Sequence, residues 1–313
     1  MNLSKVNNLD SGVVGESAAI ATSFLWTISS LFFTSAGRKI GALSVNAYRT
    51  IIAIAFLTVT HLIFLGTVIP LANSGQWFWM GLSGIVGLGI GDSGLFLAYI
   101  TIGPRRSVLM MALAPIFAAA GAYLMLGETI PKLALVGMAI TLIGVVLVIL
   151  ESEERVPEGR VAGGRKAYGV VFGLVGAIGQ GVGLVLAKKG IYLNPAVPLN
   201  PISATLMRLC LGALFIWAVA LVTRKLPDLI KAAGNREGMR STVAASFVGP
   251  YLGITLSMVA VTFTEAGIAQ TLLSLMPVMI IPVMWVVYGQ RTNLRGIIGA
   301  VVAVLGVAII FLS

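Results

Sequence analysis

The sequence predicts an all-α integral membrane protein of ten transmembrane helices, built as two inverted five-helix repeats. Three observations carry this. The 313-residue chain is 58% hydrophobic and only 10% charged, with a mean hydropathy of +1.00, outside the range of soluble domains. Apolar runs of roughly 20 residues, enough to cross about 30 Å of hydrocarbon, recur along its whole length. The second half also repeats the first: moved forward without a gap, Val86–Leu150 lies on Val248–Leu312. Gly87 then meets Gly249, Gly91 meets Gly253, Leu113-Ala-Pro115 meets Leu275-Met-Pro277, and Gly144-Val145 meets Gly306-Val307. An odd number of spans in each copy makes the second enter the membrane from the opposite face. Many secondary carriers use that arrangement to expose one site to each side in turn.

The elements follow in order. The tail 1–15 is polar and lacks the basic region and cleavage site of a signal peptide, so span 1 (16–36) is expected to act as an uncleaved anchor. Span 2 (42–64) carries Arg49 about eight residues in and His61 near its end, an interfacial position. Span 3 (76–100) holds Gly81, Gly84, Gly87, Gly91 and Gly94 at intervals of three or four, a smooth face for close helix packing. Span 4 (105–126) has Pro115 near its middle, and span 5 (131–150) closes the first repeat, 16–150. A charged inter-repeat loop, 151–166, leads to the second repeat, 167–313. Span 6 (167–188) repeats the glycine face with Gly169, Gly173, Gly176, Gly179 and Gly183. Span 7 (200–222) carries Arg208, the counterpart of Arg49, and the sole cysteine, Cys210, which excludes a disulfide within the chain. Span 8 (241–263) has Ile254 where span 3 has Asp92; span 9 (266–288) has Pro277 and Pro282; span 10 is 293–313.

Asp92 is the foremost candidate site residue. Eight residues from the end of its span, it lies roughly 10 Å below the surface. A carboxylate near the middle of a membrane helix costs roughly 2.5–3.5 kcal/mol on insertion scales, so it is expected to face a partner or water. Its counterpart is apolar, so the repeated scaffold does not itself need an acid there. Arg49 and Arg208 recur in both copies, which suggests a gating or scaffold task, with snorkelling to the headgroups as the plainer reading. Span 2 starts and span 3 ends on one face, so Arg49 and Asp92 share a depth and are expected to pair. Pro115 and Pro277 each remove a backbone donor, and matched helix breaks point to a central cavity. Tyr99, Gln180 and Ser274 add hydrogen-bonding groups for a ligand, although such groups in spans commonly bond to neighbouring helices. Trp26 and Trp285 are candidate cavity linings or packing residues. Glu16, Glu128 and Glu265 fall at span ends on one face, where solvation is the default. The cavity is expected at the midplane, lined by spans 1, 3, 4, 6, 8 and 9.

The net charge of +10 does not mark a nucleic-acid partner: the excess Lys and Arg lie in loops, where they set orientation and meet anionic headgroups. The loop Gly66–Gly75 has no basic residue, whereas its counterpart after span 7 has five. Arg105 and Arg106 follow span 3, and nothing basic follows span 8. These differences place the odd loops in the cytoplasm and both termini outside.

Two five-span repeats, each with an arginine early in its second span, resemble the EamA-type proteins of the drug/metabolite transporter superfamily. Leu126-Gly-Glu128 after Pro115 resembles that family's span-4 ending, and Gly91-Asp92, Ala98 and Gly103-Pro-Arg105-Arg106 resemble a subgroup with an acid in span 3. The second copy has Gln290 and Ile254 in place of Glu128 and Asp92, so those roles do not transfer to both halves. The resemblance implies a multi-pass protein of the cytoplasmic membrane that moves small metabolites, such as amino acids or related compounds, often outward. It implies exchange or proton coupling, a lipid bilayer and a small-molecule substrate as partners, and no cofactor. A monomer or weak homodimer is expected. It also implies cytoplasmic termini, against the loop charges, so the orientation stays open. A non-transporting membrane sensor or assembly protein is the alternative. A lipid-modifying enzyme has less support, because the chain has one histidine, no HExxH or Walker motif and no clustered acids for a metal.

Overall fold

The computed structural model describes residues 3–102, 107, 110–151, 163–195, 197–288 and 293–313, and every regular element in them is helical. In the first half these are α1 (Leu3–Ile40), α2 (Ala42–Leu65), α3 (Ser74–Ser83), a π-helical segment Gly84–Gly91, α4 (Asp92–Ile102), α5 (Ala114–Leu126) and α6 (Lys132–Glu151). The second half has α7 (Gly163–Ile191), α8 (Pro201–Val222), a short α9 (Leu226–Ala233), α10 (Arg236–Ser246), a second π-helical segment Phe247–Gly253, α11 (Ile254–Phe263), α12 (Ala266–Leu273), α13 (Met276–Tyr288) and α14 (Leu294–Phe311). Among the described residues, eight stretches are long and apolar enough to cross a bilayer, and α5 is a shorter apolar helix. This is a multi-pass membrane protein. Large apolar side chains such as Ile63, Leu124, Val222 and Leu294 stand exposed on its surface. Lipid accommodates such a surface because each helix satisfies its own backbone polar groups. The expected Arg105-Arg106 pair, the inter-repeat residues 152–162 and Gln290 lie outside the described residues.

Local chemistry sets the helix ends. Asn73 and Gln76 form a reciprocal capping box at the start of α3, and Asn200 caps α8 with Pro201 in its first turn. Gly127 ends α5 at φ +67°, where a side chain would be strained. The bond from Glu128 N to Ala122 O (3.3 Å) closes that turn and fixes where the Glu128 carboxylate begins.

The irregularities of the two halves match. Each π-helical segment ends at corresponding residues, Gly91 and Gly253, and each closes with an i to i−5 bond, from Asp92 N to Gly87 O and from Ile254 N to Gly249 O. Breaks also recur. The helix is interrupted at Ala112–Leu113 before Pro115, and at Ser274–Leu275 before Pro277. At both, a tight i to i−3 bond replaces the α-helical one: Leu113 N donates to Met110 O (3.0 Å) and Leu275 N to Leu272 O (3.2 Å).

The halves are intertwined. α1 packs against α10, α11, α12 and α13 of the second half, while α7 packs against α3, α4 and α5 of the first. α2 lies along α8, and α6 lies along α14. Glycine makes the last pairing possible: a methyl group on Gly137 would meet the Gly306 carbonyl, and one on Gly144 would meet the Gly299 carbonyl. Gly137 and Gly299 are repeat counterparts, as are Gly144 and Gly306, so this contact has the two-fold symmetry of an inverted repeat.

Candidate functional site

Asp92 heads α4 directly after the first π-helical segment and is 7% exposed. The wider turn before it changes the face on which the following side chains emerge. Arg49 of α2 forms an ion pair with Asp92 Oδ2. Gln180 of α7 donates from Nε2 to Asp92 Oδ1 at 2.5 Å. Each carboxylate oxygen thus has its own donor, one from the first half and one from the second. Arg49 is itself held: its Nε donates to Asn46 Oδ1 at 2.8 Å, one turn back, and its guanidinium lies 5.5 Å from the Phe33 ring centre. A charge-assisted pair with both groups nearly enclosed is costly to break, because the survivor stays buried without its direct charge partner.

Arg208, the repeat counterpart of Arg49, is 3% exposed and its Nε has no hydrogen-bond partner. It lies within electrostatic reach of Asp92. The glycines of the π-helical segment admit it. A Cβ on Gly87 would stand 2.6 Å from Arg208 Nη2, and one on Gly84 would overlap the Arg208 backbone carbonyl. The two glycine faces read from the sequence meet each other: Gly91 packs on Gly179, and Gly87 on Gly183. The hydroxyl of Ser83 reinforces this seam by donating to Gly183 O at 2.5 Å.

The remaining candidates are spread out. Pro115 and Pro277 sit at the matched breaks, as described. The Ser274 hydroxyl donates to Gln270 O (2.8 Å) in its own turn and is not a partner of Asp92. α1 reaches the break in span 9 instead, where the Thr27 hydroxyl donates to Met276 O at 3.3 Å. Tyr99 lies in α4 and Trp285 in α13, with side chains outside the described residues. Trp26 packs beside Gly253.

Two further features lie away from Asp92. His61, near the end of its span, is enclosed between α2 and α8, at 1% exposure, with Nε2 bonded to Ser203 Oγ (2.9 Å) and Nδ1 to Thr67 O (2.6 Å). A cavity of about 770 Å³ lies at the end of the bundle bearing the even-numbered loops, and Asp92 does not line it. Glu16, Glu128, Lys188, Lys189, Tyr192 and Glu265 line it. Its carboxylates are not simply solvated span ends. Glu128 pairs with Lys188 at 2.5 Å and accepts from the Ala266 backbone N at 2.9 Å. Lys188 also donates to Thr264 O (2.6 Å), so one knot joins the end of α5, the end of α7 and the start of α12. The Tyr192 hydroxyl donates to Thr262 O at 2.5 Å, and burial with the nearby Glu128 carboxylate pushes its phenol up from the usual pKa. The sequence signal for the knot was the αL glycine before Glu128 opposite the lysine pair, but only the fold brings them together.

The sequence profile of the EamA-like transporter family matches residues 13–150 and again 167–312. An uncharacterized transporter of Clostridium kluyveri is 25% identical over 235 residues, covering 73% of this chain and 70% of that protein. A protein of known crystal structure superimposes with a TM-score of 0.71 over 94% of this chain and 95% of its own, at 14% identity, a likeness of fold.

Proposed function

Because the chain belongs to the EamA-like transporter family, we propose that it is a secondary carrier with ten membrane spans. It moves a small metabolite, such as an amino acid or related compound, outward across the cytoplasmic membrane by alternating access between the two repeats. The observation that carries this reading is the coincidence of matched π-helical segments and matched breaks with one enclosed charged group, Asp92–Arg49–Gln180. Discontinuous helices at corresponding places of inverted repeats are where carriers build their sites. Intramembrane charges mark substrate or ion pathways.

Within this reading, Asp92 is the coupling or ligand-contact group and Arg49 its partner. Protonation of Asp92 neutralises the carboxylate and releases Arg49, changing a bond between helices of one repeat. Gln180 couples the same carboxylate to the other repeat. Arg208 belongs to the site, and Pro115 and Pro277 shape its walls. The cavity beside Glu128 and Lys188 is the mouth on the even-loop side, and their pair bridges the repeats there.

The test is pH-dependent uptake and efflux of a metabolite library in proteoliposomes, comparing the native protein with Asp92→Asn. Saturable flux that loses proton-driven accumulation in the variant but keeps exchange supports Asp92 as the coupling group. Transport unchanged at every pH assigns Asp92 a structural task. Absence of flux across the library with either protein removes the carrier reading.

A further inference from the structure

Arg208 is a buried cation whose Nε donor faces no acceptor. Its exposure is 3%, and the carboxylate that acts on it among the described residues is Asp92. That carboxylate is already in use: Oδ2 takes Arg49 and Oδ1 takes Gln180. Among the described residues, two guanidiniums thus have one carboxylate within electrostatic reach, an excess of one positive charge. A buried donor without an acceptor and a buried charge without its counter-ion are both costly. The helices go out of their way to keep the arrangement, since Gly87 leaves out the side chain that would displace Nη2.

We propose that this group binds the carboxylate of a small organic monoanion, with Arg208 as its direct partner and the Asp92–Arg49–Gln180 assembly as the fixed wall beside it. The inference rests on the carrier reading above and names its substrate class. One negative charge balances the site; a phosphate dianion would overshoot it. The planar guanidinium suits a carboxylate, which it can hold through two parallel hydrogen bonds. With Arg208 only 3% exposed here, the anion arrives in a state where α8 and the π-helical segment Gly84–Gly91 have moved apart.

The experiment uses the purified full-length chain and a panel of N-acetyl amino acids from N-acetylglycine to N-acetylphenylalanine, each paired with its neutral amide. Binding is read as thermal stabilisation, and flux is read in proteoliposomes. The expected result is that at least one carboxylate binds on the order of 30-fold more tightly than its amide, as the loss of a buried charge partner requires. Arg208→Gln abolishes the preference, and Arg208→Lys keeps part of it. The comparison of acid with amide on the native protein stands even if a variant fails to fold. Amides that bind as well as acids, a preference that survives Arg208→Gln, or no stabilisation by any member of the panel overturns the proposal. A carboxylate that binds through Arg208 without flux leaves the anion site standing and removes the carrier reading. Saturable flux of neutral or cationic compounds with no preference for acids does the reverse.

Discussion

At the scale of single residues, the Arg49–Asp92 pair decides more than any other contact, because each member is nearly enclosed and each is the other's charge partner. Arg49→Gln takes from the carboxylate its direct ion-pair partner but leaves it Gln180 and the nearby Arg208, so the expected cost is about 3 kcal/mol of stability, the low end for breaking a buried pair. Arg49→Gln with Asp92→Asn removes the pair but also takes the carboxylate from Arg208, so a thermal-unfolding double-mutant cycle is expected to show losses less than additive with only partial recovery. Purely additive losses would show that the two side chains do not act on each other. The glycines beside Arg208 separate packing from function in the same way. Gly84→Ala drives a methyl group into backbone, so it is expected to lower the unfolding temperature. Gly87→Ala crowds the end of a side chain, with the Gly179 carbonyl at ordinary contact distance. It is expected to fold while displacing the guanidinium, and to lose transport at nearly native stability.

At the scale of elements, the discontinuities are the informative feature. Proline explains the breaks before Pro115 and Pro277 through the missing backbone donor, and both were legible in the sequence as a matched pair. If the breaks serve the site, Pro115→Ala and Pro277→Ala are each expected to preserve or raise thermal stability while lowering flux several-fold. Equal flux in both variants would make the prolines incidental. The π-helical segments were not legible. The glycines that mark the first were read only as a packing face, and the second contains Pro250 within a less regular glycine pattern. A widened turn leaves no hydrophobic period of its own, so its place emerges only from the hydrogen-bond ladder.

For the whole molecule, the exchange of first helices governs behaviour. α1 is packed almost wholly by the second half and α7 by the first, so neither repeat buries its own helices alone. Residues 1–151 and 163–313 expressed separately are therefore expected to be degraded or aggregated, and to co-purify as a stable complex when expressed together. A first half that is monodisperse and protease-resistant by itself would contradict the intertwined arrangement. The same exchange explains how a carboxylate in α4 is gripped from both repeats: Arg49 arrives from its own half and Gln180 on the exchanged helix.

The sequence by itself determined the class of protein, the repeat, the matched helix breaks, and the pairing of Arg49 with Asp92. These follow from composition, period and count, which are properties of the chain read in one dimension. It also singled out Arg208 and Gln180, but as isolated polar groups with plainer readings beside them. Only the tertiary structure decided that Gln180 meets Asp92, that Arg208 lacks a hydrogen-bond acceptor for Nε, and that Glu128 and Lys188 are knotted rather than solvated. The reason is physical. Hydrophobicity tells a residue how deep to lie in the membrane, but not which neighbour it faces. Facing is set by helix rotation and by close approach at glycine seams, which involve residues far apart in the chain.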